Sequence, residues 1–138
     1  RALLAALYRE ETGHELPPIA VKAGGEPYSP GSDWHFSISH TPRRAFCALS
    51  RREIGIDAEE LDRNVKLALA EKILSPGERV QFDAAPDKRR ALLTFWVLKE
   101  AQVKRTGEGL RGYPNKTDFS LDDPRVTEMD GCLVAVIE

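Results

Sequence analysis

The spacing of hydrophobic and polar residues changes several times along this 138-residue chain. Leu3, Leu4 and Leu7 recur at helical spacing ahead of Gly13, which predicts a short amphipathic helix over residues 1–13. A Pro- and Gly-rich stretch follows from Pro17 to Gly31, with a short strand expected near Ile19–Val21. From Trp34 onward the pattern becomes short runs of branched and aromatic residues, His35–Ser39, Ala45–Ser50 and Ile54–Glu59, which read as strands of one antiparallel sheet. Helices come next. Ser75-Pro76-Gly77-Glu78 has the form of a capping box with proline at the first helical position. A longer helix is expected from about Asp87 to Arg105, closing with Lys104 and Arg105 in its last turn and Gly107 just beyond. Its centre, Leu92 to Leu98, is apolar on every side and predicts a buried helix. Val126 to Glu138 reads as a hairpin turning at Asp130-Gly131. The class is α+β, in a single domain over residues 1–138.

Composition narrows the function classes. A net charge of -2 argues against a dedicated nucleic-acid binder. No apolar run approaches the roughly 20 residues that cross a bilayer. Cys47 and Cys132 lie in apolar, strand-like runs without metal-ligand spacing, so buried free thiols and a reducing, cytoplasmic setting are expected. Arg1 leads directly into a helical run with no charged-then-apolar leader pattern, and a further upstream segment is expected.

Three segments carry candidate chemistry. In Gly55-Ile56-Asp57-Ala58-Glu59, strand alternation puts Asp57 and Glu59 on one face, roughly 6.6 Å apart, opposite Ile54, Ile56 and Ala58. Two carboxylates beside a glycine that leaves room suit a hard cation such as magnesium; an exposed acidic strand face is the competing reading. Trp96, Glu100 and Lys104 stack at four-residue intervals along one helix face, with Lys99 as a second cation beside Glu100. A surface Glu–Lys pair explains that spacing too, although so apolar a helix leaves little surface for one. Ser39-His40 ends a strand, where a histidine can donate to a phosphate or accept a proton, or simply be hydrogen-bonded structure. The nearby Arg43, Arg44, Arg51 and Arg52 read as a solvated face. Three carboxylates, two lysines and a histidine, with no Walker-type glycine loop, form an inventory suited to attack on a pyrophosphate, where positioning and charge neutralisation do most of the catalysis.

In order and wording these segments resemble the 4′-phosphopantetheinyl transferase superfamily. The resemblance rests on Ser39-His40, on Gly55-Ile56-Asp57-Ala58-Glu59, and on Trp96-Val97-Leu98-Lys99-Glu100-Ala101-Gln102-Val103-Lys104, continued by Gly107-Glu108-Gly109-Leu110. It covers the chain from about Gly25 to Leu110. The Ser-His pair points to the larger type, which activates peptide and polyketide synthases. The resemblance implies two related halves of helix packed on a small antiparallel sheet, with the active site in the cleft between them. It implies transfer of the 4′-phosphopantetheine of coenzyme A to a serine of an acyl or peptidyl carrier protein, releasing adenosine 3′,5′-bisphosphate. By position, Asp57, Glu59 and Glu100 are implied around Mg2+, with Glu100 also the base for the carrier serine. Lys104, assisted by Lys99, is implied at the pyrophosphate, Ser39 and His40 at the 3′-phosphate, and Trp96 as a structural wall. Alternatives are a non-catalytic module that docks a carrier protein or coenzyme A, and a magnesium-dependent pyrophosphate hydrolase. Two departures stand out: Glu26 occupies a place usually held by lysine, and the chain opens inside the first half, so a front segment supplying strands and basic residues is expected.

Overall fold

The computed structural model describes residues 1–107 and 118–138. Helix α1 (Ala2–Thr12) ends on Gly13, whose left-handed backbone (φ 75) closes the last turn. Of its expected apolar stripe, Leu4 is buried, Leu7 is half-buried and Leu3 is exposed; Tyr8 completes the buried face and shares a 2.8 Å hydrogen bond with Ser32. A small ribbon of β1 (Ala20–Val21) and β2 (Pro27–Tyr28) leads to the antiparallel hairpin of β3 (His35–His40) and β4 (Ala45–Ser50). Strand β5 (Gly55–Glu60) follows, then a 3-10 turn (Leu67–Leu69), α2 (Ala70–Ile73) and α3 (Pro76–Ala84). The chain continues as α4 (Lys88–Thr106), β6 (Val126–Met129) and β7 (Cys132–Ile137). Helix α1 packs on β4, and α4 packs on β5 and β7. Each helix thus covers its own small sheet, in the α+β arrangement expected from the resemblance.

Local chemistry accounts for most boundaries. Ser75 and Glu78 form the reciprocal capping box at the start of α3. Lys88 closes the other end of that helix by donating to the carbonyls of Phe82, Asp83 and Ala85. Asp87 caps α4 by accepting from the Arg90 N–H, and Gly107 (φ 73) ends it. Asp130 (φ 52) and Gly131 (φ 76) supply the two positive φ angles of the β6–β7 turn. The centre of α4 is sequestered as its composition demands: Leu92, Leu93, Phe95, Val97 and Leu98 are buried, while Trp96 is half-buried. Cys132 is buried and Cys47 half-buried, both as free thiols.

One expectation is corrected. The three strand runs from His35 to Glu60 do not share a backbone-paired sheet. Strand β3 pairs with β4, whereas β5 pairs with β7, in the order β5-β7-β6. The seam between β3 and β5 is closed by side chains: Ser37 Oγ accepts the Ile56 N–H and Ser39 Oγ accepts the Ala58 N–H, each at 3.1 Å. The paired numbers rise together, so the two strands run in the same direction. Each hydroxyl satisfies a buried N–H that would otherwise cost about 1–3 kcal/mol. A run of alternating serines on β3 therefore replaces one backbone ladder.

Both faces of β5 are covered. Ile56 and Ala58 pack with Cys132, Val134, Phe46 and Ala48, while Gly55, Asp57 and Glu59 lie on the face that meets α4. At Gly55 the helix comes so close that a Cβ would overlap the Ala101 carbonyl oxygen and crowd the Arg105 N–H. Gly55→Ala is therefore expected to destabilise by at least the about 1–3 kcal/mol of an overpacked core, because the obstacle is helix backbone that cannot turn aside. Urea denaturation measures this; an unchanged midpoint would contradict the close approach.

Candidate active site

The face of β5 toward α4 gathers the candidate acids. Glycine at position 55 lets α4 lie close, so the helix face bearing Trp96, Glu100 and Lys104 stands over Asp57 and Glu59. Lys104 reaches across the seam. Its ammonium donates to the carbonyls of Ile38 (3.1 Å) and Ile56 (3.0 Å) and to Asp57 Oδ1 (3.2 Å). The same Asp57 oxygen accepts a longer hydrogen bond from the Ser39 hydroxyl (3.4 Å). Asp57 Oδ2 is buried with no hydrogen-bond partner. Glu59 Oε1 receives the Trp96 indole N–H (3.2 Å) and the Arg63 guanidinium (2.5 Å).

Charge is unbalanced in this cluster. Burial, offset in part by Lys104, pushes Asp57 up to about 6. Burial also lifts Glu100, with the charge of Asp57 adding to it, up to about 7, against the lowering effects of Lys104 and Arg63. Asp57 and Glu59 lie close enough for their charges to raise Glu100, and Asp57 has a buried oxygen without a partner among the described residues; the three carboxylates make a donor set that fits a hard divalent cation. The fit is one of ligand type. Among the described residues no three such side chains already close into a metal cage, since Asp57 is drawn toward Lys104 and Glu59 toward Arg63.

The other candidates are dispersed. His40 is exposed at the end of β3. Ser39 is buried, and its hydroxyl is committed to the Ala58 N–H and Asp57; it orients Asp57 rather than facing a phosphate. Lys99 also departs from expectation. Its ammonium sits 2.7 Å from Glu78, the two side chains being 2% and 0% exposed, on the side of α4 that meets α3. Glu78 further accepts the N–H groups of Ser75 and Phe119, so Lys99 belongs to a buried polar joint, remote in role from any pyrophosphate. Trp96 is a wall, as expected, but its N–H also holds Glu59. Positions 108–110, which continue the helix signature, lie outside the described residues.

Sequence reasoning left two groups unassigned. Arg43 donates to Glu60 and Asp62 from the β3–β4 turn, and its bond to Glu60, seconded by that of the Thr41 hydroxyl, holds Glu60 down to about 2. Arg63 enters the carboxylate cluster from the loop after β5; its four-residue spacing from Glu59 was the one available signal. Beyond Lys104, at the start of β3 and the end of α4, lies a cleft of about 240 Å³ lined by residues that include Glu26, Phe36, Glu53 and Arg105. Glu26 Oε2 and Arg105 Nε are buried there without hydrogen-bond partners among the described residues.

A sequence model described as the 4′-phosphopantetheinyl transferase superfamily matches residues 53–131, which take in β5 and all of α4. The chain belongs to this superfamily. A 4′-phosphopantetheinyl transferase of Bacillus subtilis is 34% identical over 102 residues, covering 69% of this chain and 45% of that protein. The transferase HetI of Nostoc is 37% identical, with 54% and 33% covered, and the transferase Sfp of Bacillus subtilis is 36% identical, with 62% and 39% covered. These relatives support the larger type within the superfamily. The chain spans 33–45% of the length of these curated relatives. The holo-acyl-carrier-protein synthase of Thermotoga maritima superposes with a TM-score of 0.52 at 25% identity, covering 61% of this chain and 60% of that one.

Two measurements follow from the geometry. Raised carboxyl values mean that the folded protein keeps protons that the unfolded chain, with ordinary values near ~4, has already released. Stability contributed by Asp57 and Glu100 is thus present at low pH and lost as pH rises through about 6 and about 7. With chelator present, the melting temperature is expected to fall from about pH 5 to about pH 8, and Glu100→Gln to flatten that slope; a rising or flat wild-type profile would contradict it. Lys99→Met leaves Glu78 charged and buried, which should cost about 3–5 kcal/mol in thermal or chemical denaturation. Lys99→Met with Glu78→Gln should recover much of that loss, and a mild single-variant effect would remove Lys99 from the core assignment.

Proposed function

We propose that the protein transfers the 4′-phosphopantetheine group of coenzyme A to a serine of an acyl or peptidyl carrier protein. The observation that carries this reading is the cluster of Asp57, Glu59, Glu100 and Lys104 beside the β3–β5 seam, all four within the residues that the superfamily model matches. In the reaction, the serine Oγ bonds to the phosphorus nearer the pantetheine. The bond from that phosphorus to the bridging pyrophosphate oxygen breaks, and adenosine 3′,5′-bisphosphate leaves with the electron pair. Asp57, Glu59 and Glu100 would hold Mg2+, which when bound offsets the charge of the pyrophosphate.

The remaining work falls to the chain's own groups. Glu100 would accept the serine proton as the general base. Lys104 keeps a positive charge at Asp57 and lines the cleft beyond it, where the pyrophosphate of coenzyme A can meet its ammonium. That cleft gives part of the coenzyme a seat, with Arg105 Nε and Glu26 Oε2 as hydrogen-bonding groups still to be satisfied. His40, exposed at the strand end, would meet an anion such as the 3′-phosphate.

Incubation with apo-carrier protein, coenzyme A and magnesium, followed by mass measurement of the carrier, tests the reading. A gain of one phosphopantetheine is expected, and its loss on chelation. Cleaved coenzyme A with unmodified carrier would instead make the protein a hydrolase, and binding without chemistry a docking module. Glu100→Gln should lower turnover by roughly a hundredfold or more with no loss of melting temperature, the scale of losing a general base. His40→Ala should impair coenzyme A by roughly tenfold or more relative to dephospho-coenzyme A, as loss of a charge-assisted contact predicts. Equal losses with both would remove His40 from the phosphate site.

A further inference from the structure

We propose that Arg63 is an exchangeable counter-ion for Glu59, which an incoming divalent cation must displace, so that Arg63 sets how tightly the site takes its metal. The inference rests on the proposed metal role of Asp57, Glu59 and Glu100, and concerns this chain's own residues toward that ion.

Two cations serve this carboxylate cluster, and they are held very differently. Lys104 is fixed: its ammonium satisfies two strand carbonyls as well as Asp57, and withdrawing it would leave the Ile38 and Ile56 carbonyls short of a donor on the β3–β5 seam. Arg63 is fixed by its backbone, while its side chain is about half exposed. The Arg63 N–H donates to Glu60 O at 3.0 Å, and Arg89, reaching from α4, donates to the carbonyls of Leu61 and Arg63. The loop is therefore anchored while the guanidinium is attached through Glu59, with 47% of its side chain exposed against 17% for its partner. Solvent can take over its remaining N–H groups when it swings away.

The competition is direct. The Arg63 guanidinium and the Trp96 N–H both address Glu59 Oε1. Asp57, Glu59 and Glu100 would share a hard cation only if Glu59 offered it an oxygen, whereas Arg63 draws Glu59 toward the groove lined by Pro42, Glu60 and Asp62. Arg63 lowers the repulsion among the carboxylates, and an incoming ion would exchange for a charge already present.

Calorimetric titration of the chelator-stripped protein with Mn2+ and with Mg2+ tests this without any turnover. Arg63→Gln is expected to bind each ion about two- to fivefold more tightly than wild type, the scale of releasing a partly exposed ion pair. Arg63→Lys, which keeps the charge and loses the fork, should fall between them. Arg52→Gln makes the same change in net charge at an exposed position 4.0 Å from Glu138, and should leave affinity unchanged. Equal or weaker binding by Arg63→Gln overturns the proposal, as does equal tightening by Arg52→Gln, which would reduce the effect to overall charge. Wild type that binds neither ion would overturn the metal reading and the counter-ion with it. Melting curves on each variant confirm that folded proteins are being compared.

Discussion

The ammonium of Lys104 is the point on which the arrangement turns. It lies between two strands that share no backbone hydrogen bonds and satisfies a carbonyl from each, Ile38 O on β3 and Ile56 O on β5. Ser37 and Ser39 complete the seam from the β3 side. Without these groups, the helix-on-sheet units built around α1 and α4 would meet along unsatisfied polar edges, which a buried interface does not tolerate. With them, the seam is closed by side chains whose partners can change, and it carries Asp57 at its centre.

Closing the seam in this way creates an electrostatic problem that the site then exploits. Asp57 is buried and receives one of its hydrogen bonds from an ammonium shared with two carbonyls, and its second oxygen has no partner. Glu59 and Glu100 face the same region, so burial and mutual repulsion hold Asp57 and Glu100 well above the usual carboxylate range. A fold selected for stability alone would replace such a cluster with apolar residues of similar size. Its retention, on a face where Gly55 is required to let the helix approach, is the physical reason to regard the cluster as a reaction site.

Much of this was legible in the sequence, and the division follows the range of the interactions. The capping box at Ser75–Glu78, the Asp130-Gly131 turn and the caps of α4 are decided by neighbours within a few residues, and each forms as its residue types require. The alternation in Gly55–Glu59 also held, although its acidic side is covered by α4 instead of solvent. Partner choice across the chain was not legible. Lys99 and Lys104 sit in one motif, yet Lys99 pairs with Glu78 from another helix and Lys104 with two strands. The serines of β3 read as part of a strand, and nothing local reveals that their hydroxyls stand in for a backbone ladder. Arg63 follows β5 in a loop without periodicity, so its place beside Glu59 emerges from the tertiary structure.

The central claim is that Glu100 belongs to a carboxylate cluster that binds a cation, and the most direct measurement is its own titration. Carbon-13 labelling of glutamate, with Glu100 assigned by loss of its signal in Glu100→Gln, follows the side-chain carboxyl as pH is varied. In metal-free protein the midpoint is expected at about 7, and saturating Mg2+ should bring it down into the ordinary carboxylate range near ~4 or below. A midpoint already in that ordinary range without metal, and unmoved by the ion, would contradict the account.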